Sequence, residues 1–149
     1  MGQGRRLVLL VALVAGALRL VGLFRPVRPD EAGFTLVARA WAPDADSVYG
    51  PYFVDRPPLL VATFGAADWL AGPLTVRVLG AVAVTALVLL AAMTARLVAG
   101  ASAARWTAVL VAALCVTPLI DVVAAKGELL ALPLVMGGCL LALLALRRA

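Results

Sequence analysis

The sequence contains no histidine and only two cysteines, and Asp, Glu, Lys and Arg together make up just 14% of its 149 residues. Without His there is no imidazole base, no His-ligated zinc site and no histidine pH switch. Cys115 and Cys139 lie in apolar runs without CxxC spacing, which excludes a disulfide scaffold and predicts buried, reduced thiols packing as small apolar side chains. A soluble domain is normally about one quarter charged because its surface faces water. At 64% hydrophobic and a mean hydropathy of +1.07, this chain is excluded from that class. The net charge of +5 does not mark a nucleic-acid binder either. The 13 basic residues, all but one of them Arg, are scattered between apolar runs instead of forming a patch.

What the sequence has in abundance is spanning-length apolar segments. A helix needs about 17 to 25 apolar residues to cross the roughly 30 Å hydrocarbon core. Four stretches fit: 7–24, interrupted only by Arg19, then 76–98, 105–121 and 129–146. The third is the shortest, its apolar part covering only about 22 Å at about 1.5 Å per residue, so it needs polar residues at its outer end or a thinned bilayer. These stretches predict an all-α membrane protein with four transmembrane helices in one transmembrane domain. Arg19, near a helix end, is expected to snorkel to the interface. Gly80, Ala81, Ala108, Ala112, Gly137 and Gly138 are small residues that allow close helix approach.

Charge sign gives the orientation. Arg5 and Arg6 precede the first stretch, Arg96 and Arg105 bracket the turn between the second and third, and Arg147 and Arg148 follow the fourth. All acidic residues lie in the other two connections. The positive-inside rule then places both termini in the cytoplasm and the acidic connections outside. Ala15, Gly16 and Ala17 also resemble a signal-peptide cleavage site, but apolar character resumes after Arg19 and restores spanning length.

The first outer connection, 25–75, is organised rather than loose. Pro29 precedes Asp30, read as the N-cap of a helix over 30–42 that is ended by Pro43. Phe34, Val37, Ala38 and Trp41 share one face, as in a helix lying in the membrane interface. After a loop rich in Pro, Gly and Tyr, 59–71 reads as a second interfacial helix with Trp69 near its end and Gly72–Pro73 breaking it. Acids and a guanidinium held at a bilayer surface suit the positioning of a hydroxyl acceptor beside a lipid-linked anion.

The order of motifs is specific. Arg19, then RPVRPDEAGF at 25–34, YGPYFVDRPPLL at 49–60 and LTVRVLG at 74–80 resemble the N-terminal part of polytopic GT-C glycosyltransferases. The nearest group is the family 39 type, which includes protein O-mannosyltransferases and the aminoarabinose transferases of lipid A. The Lys-Gly-Glu at 126–128 falls where that family's second outer loop often supplies an acid. Such enzymes have more spans, so the resemblance implies the N-terminal portion of a larger enzyme, completed by a C-terminal part or a partner subunit, in a bacterial plasma membrane.

The resemblance implies transfer of a sugar from a polyprenyl-phosphate donor at the outer face, with Asp30 as catalytic base and Glu31 beside it. Asp30 as a simple cap is the structural alternative. Asp55 and Arg56 would lie near the phosphate, with Asp55 able to contribute to a divalent metal, or form only a local ion pair. Lys126 and Glu128, with Asp121, lie at the outer end of the last two stretches, Glu128 being the strongest site candidate of the three. Arg77 can hold a phosphate or snorkel. Asp44, Asp46 and Asp68 are expected to face solvent, and Tyr49 and Tyr52 to anchor at the interface or stack on a sugar. The competing class is a non-enzymatic four-helix membrane protein, a transporter or assembly subunit. It is weakened by first, second and fourth spans without acids and by an outer connection longer than an exporter needs.

Overall fold

The computed structural model describes residues 2–42, 48–52, 54–117 and 125–148. Pro43, Asp44, Asp46 and Asp121 lie outside the described residues. The described chain is helical: α1 (Gln3–Arg19) runs into a 3-10 turn (Leu20–Phe24), followed by α2 (Pro29–Arg39), α3 (Pro58–Ala71), α4 (Thr75–Val116) and α5 (Gly127–Leu146). Gln3–Phe24, Thr75–Val116 and Gly127–Leu146 are long and apolar enough to cross a membrane.

The 42 residues of α4 are not one rod. Gly100, at φ 86° and ψ −171°, interrupts the helix in a conformation that is essentially glycine-only. The direction reverses there. Gly16 lies against the Ala81 carbonyl and, four residues back in α1 and four on in the first arm, Thr85 donates toward the Ala12 carbonyl at 3.4 Å, so that arm runs antiparallel to α1. In the second arm the Arg105 side chain lies over Gly4 and Arg19 donates to the Cys115 carbonyl at 3.1 Å, so that arm runs parallel to α1.

Small side chains hold these helices together. Ala12 and Ala15 of α1 meet Val84, Val88 and Ala92 of the first arm and Ala104, Ala108 and Ala112 of the second in one core. The four-residue spacing of the last three puts their methyl groups on one face. Between apolar helices in lipid, close van der Waals packing of small residues replaces the hydrophobic drive. Gly16 marks the tightest crossing, since a Cβ there would collide with the Thr85 hydroxyl. Gly80 backs onto Ala125 and Gly137 faces Leu90, whereas Gly138 has open space around it.

Three local expectations are revised. The N-cap of α2 is Arg28, not Asp30, because Pro29 occupies the first helical position, where its missing N–H costs nothing. Arg19 is 5% exposed and does not snorkel; its guanidinium is used inside the protein. Cys139 is exposed and Cys115 half-buried, both as free thiols.

The apolar face of α2 meets a partner. Phe34 sits edge-on to Phe64 of α3 with ring centroids 5.3 Å apart, and Ala38 abuts Gly65. Arg39 closes the far end of this pair with a bidentate bridge to Asp68 at 2.7 and 2.8 Å, so Asp68 is paired. Those bonds hold the Asp68 carboxyl below the ordinary carboxylate range and raise the Arg39 guanidinium in return.

Candidate functional site

The acidic end of the helix assembly is organised around one carboxylate. Glu31, third residue of α2, is 1% exposed, and its Oε2 accepts the Arg28 backbone N–H at 3.0 Å, a capping role for a Glu at this position. Thr35, one turn on, donates to the Glu31 carbonyl at 2.7 Å. Arg77, three residues into α4 and 2% exposed, reaches across to the same carboxylate: Nε lies 2.9 Å from Oε1 and Nη2 lies 2.5 Å from Oε2. Its remaining donors go to backbone carbonyls: Nη1 to Gly22 and to Arg25 at 2.8 Å, Nη2 to Pro26 at 2.7 Å. The Ala125 N–H, just before α5, donates to Glu31 Oε1 at 3.1 Å.

Five segments distant in sequence therefore meet on two side chains: the 3-10 turn, the 25–28 link, α2, α4 and the start of α5. Burial alone pushes the Glu31 carboxyl up, but hydrogen bonds from Arg77, Arg28 and Ala125 and the Arg77 charge outweigh it and hold the group below the ordinary glutamate range. A buried ion pair of this kind offsets its desolvation only when the remaining donors and acceptors are satisfied. Here they are, and no buried side-chain polar atom among the described residues lacks a partner.

The other residues singled out from sequence lie around this hub with different exposures. Asp30 is adjacent to Glu31 in the first turn of α2 but, unlike it, is exposed. Lys126 caps α5 and Glu128 stands in its first turn, both exposed and close in sequence to the Ala125 amide that docks on Glu31. Asp55 and Arg56 form a loose pair at 3.8 Å, 74% and 46% exposed at the side chain in the order Asp then Arg. That pair precedes α3, whose Leu60 packs where a side chain at Gly127 would stand, so the Asp55–Arg56 loop is carried to the same end as Lys126 and Glu128.

The loop is braced by aromatics. Tyr49 is buried, donates to the Arg56 carbonyl and lies 6.1 Å from the Trp41 ring, and Trp41 Nε1 donates to the Val48 carbonyl at 2.6 Å. Tyr52 is exposed. Beside α2 an open cleft of about 250 Å³ is lined by Val27, Ala32, Thr35, Leu36, Arg39 and Pro73. No group of three or more acidic or thiol side chains gathers as a metal site among the described residues.

Sequence reasoning named Glu31 and Arg77 separately and missed their pairing. Proline at 29 was the available signal: it sets the helix start, which puts Glu at the third position and turns it inward. Comparison with known protein families, curated proteins and solved structures finds no match to this chain.

Proposed function

We propose that this chain is a membrane glycosyltransferase component of the GT-C type, transferring a sugar from a polyprenyl-phosphate donor at the outer membrane face. The observation that carries the reading is the motif order at the acidic end, in which exposed Asp30 is fixed next to a buried, fully bonded Glu31 at the start of α2. Four crossings fit the helices: the first, the two arms of α4 on either side of Gly100, and α5. The pair α2–α3 lies at the outer interface in this reading, which the exposed Trp69, Leu59 and Leu70 support. The apolar cleft beside α2 suits part of the carrier's isoprenoid chain.

In the reaction, the Asp30 carboxylate takes the proton of the acceptor hydroxyl as its oxygen bonds to the anomeric carbon. The bond from that carbon to the lipid-phosphate oxygen breaks, and the electron pair leaves with polyprenyl phosphate. Exposed Arg56 and Lys126 offer cations to that phosphate, with Asp55 and Glu128 within two residues of them in sequence. Arg77, enclosed with its donors committed to Glu31 and three carbonyls, positions the site instead of binding the donor. A divalent metal is not required by this scheme.

The test is Asp30→Asn in the whole membrane-inserted protein. Transfer from a polyprenyl-phosphate sugar should fall at least a hundredfold, the usual scale of a lost general base, while membrane insertion is unchanged. Undiminished transfer removes Asp30 as the base.

A further inference from the structure

The opposite end of the molecule carries a second feature that the transfer reaction does not use. Between α1 and the second arm of α4 lies a cleft of about 290 Å³ lined by Leu7, Arg105, Trp106 and Val109. Its lining is mostly apolar, and Trp106 stands 66% exposed at its edge. Arg105 extends from this cleft over the first turn of α1, where a methyl on Gly4 would sit 3.6 Å from its Cδ. The next two residues are Arg5 and Arg6, both exposed. No acid compensates them, for the sequence has none over 1–29, 69–120 or 129–149.

We propose that this cleft binds an anionic phospholipid, with the headgroup phosphate held by Arg105 and an acyl chain laid against Leu7 and Val109. The chemistry on each side matches: guanidinium forks bind phosphate oxygens bidentately, and the wall below them is apolar. An indole is favoured at the level between them, where one edge is wet and the other dry. Basic clefts between helices near the cytoplasmic surface bind acidic headgroups in this way. Topology-setting arginines alone require no cleft, and they make every arginine at this end equivalent. The cleft makes Arg105 special and leaves Arg96, which does not line it, ordinary.

The experiment uses Trp106 as the reporter, in a Trp41→Phe, Trp69→Phe background that leaves it the one remaining tryptophan of three. The chain is reconstituted in phosphatidylcholine vesicles containing either brominated phosphatidylglycerol or brominated phosphatidylcholine at equal mole fraction. Trp106 quenching should favour phosphatidylglycerol by about fivefold or more. Arg105→Gln should reduce that preference by about fivefold, the factor equivalent to about 1 kcal/mol per basic residue at an anionic surface. Arg96→Gln should leave it intact. Equal quenching by the two lipids overturns the proposal, as does an Arg96→Gln loss equal to that of Arg105→Gln. Because the readout is lipid preference, its failure leaves the transfer reading untouched, and loss of transfer in Asp30→Asn leaves the lipid site untouched.

Discussion

Removing the Arg77 guanidinium would strand the Glu31 carboxylate and three backbone carbonyls at once. Breaking a buried pair from one side costs about 3 to 5 kcal/mol, whereas replacing both partners by apolar groups is often close to neutral. Arg77→Met should therefore lower the unfolding midpoint in detergent strongly, and Glu31→Leu combined with Arg77→Met should recover part of that loss. Arg77→Lys should not rescue, because an ammonium cannot reproduce the fork that spans a carboxylate and three carbonyls. The same pair sets an acid limit. The folded-state value of Glu31 lies below the ordinary 4.5, so its contribution is complete above that value and is lost as the pH falls through the lowered one. Unfolding measured from pH 6 downward should show this limb in the wild type and lose it in Glu31→Gln. A limb of the same size in both would assign the acid sensitivity to another group.

At the scale of elements, the hydropathy of the chain locates the helices well, because a spanning helix is defined by a long run of one physical property. The N-terminal helical stretch ends at Phe24 as expected, and α5 begins within two residues of the expected 129 and ends at Leu146. Less legible was how the second and third segments join. The sequence predicts two helices with a turn bracketed by Arg96 and Arg105, whereas the structure reverses at Gly100 alone, with helix continuing on either side. Gly100 is the one glycine between those two arginines, so the bracketing charges locate the turn, but its confinement to a single residue shows only in that residue's φ. Gly100→Ala should cost about 1 to 3 kcal/mol, as expected for a non-glycine residue held in this region. The cost should be read as a lower unfolding midpoint in detergent, and an unchanged midpoint would mean that the reversal tolerates a Cβ. The start of α2 is hard to read for a related reason: Asp30 has the right chemistry for a cap, but the proline before it takes the first helical position and puts the cap at Arg28.

On the scale of the whole molecule, charge sorting was legible and contact pairing was not. The arginines of the α1 start, the Gly100 reversal and the α5 end do converge, with Arg105 over Gly4 and Arg147 donating to the Leu97 carbonyl. Periodicity and sign are one-dimensional properties and survive reading in one dimension. By contrast, Glu31 and Arg77 are 46 residues apart, and no local pattern selects that partner from the other arginines. The proposed orientation is open to direct measurement in a Cys115→Ala, Cys139→Ala background. Asp55→Cys should react with an impermeant maleimide added outside intact cells, and Ser102→Cys only after the membrane is opened. The reverse pattern would invert the orientation.

The Glu31 hub also dictates an order of assembly. Its ligands come from residues 22 to 125, the last arriving 94 positions after the carboxylate itself. During synthesis the acid is thus made long before the guanidinium that neutralises it, and longer still before the Ala125 amide. Until then Glu31 must stay hydrated, since an unpaired carboxylate resists burial. The start of α2 can settle only after Arg77 has emerged, and its docking against Ala125 waits for the helical hairpin of α4. A nascent chain stopped before residue 77 would therefore hold its long first helix and leave this acid exposed to water.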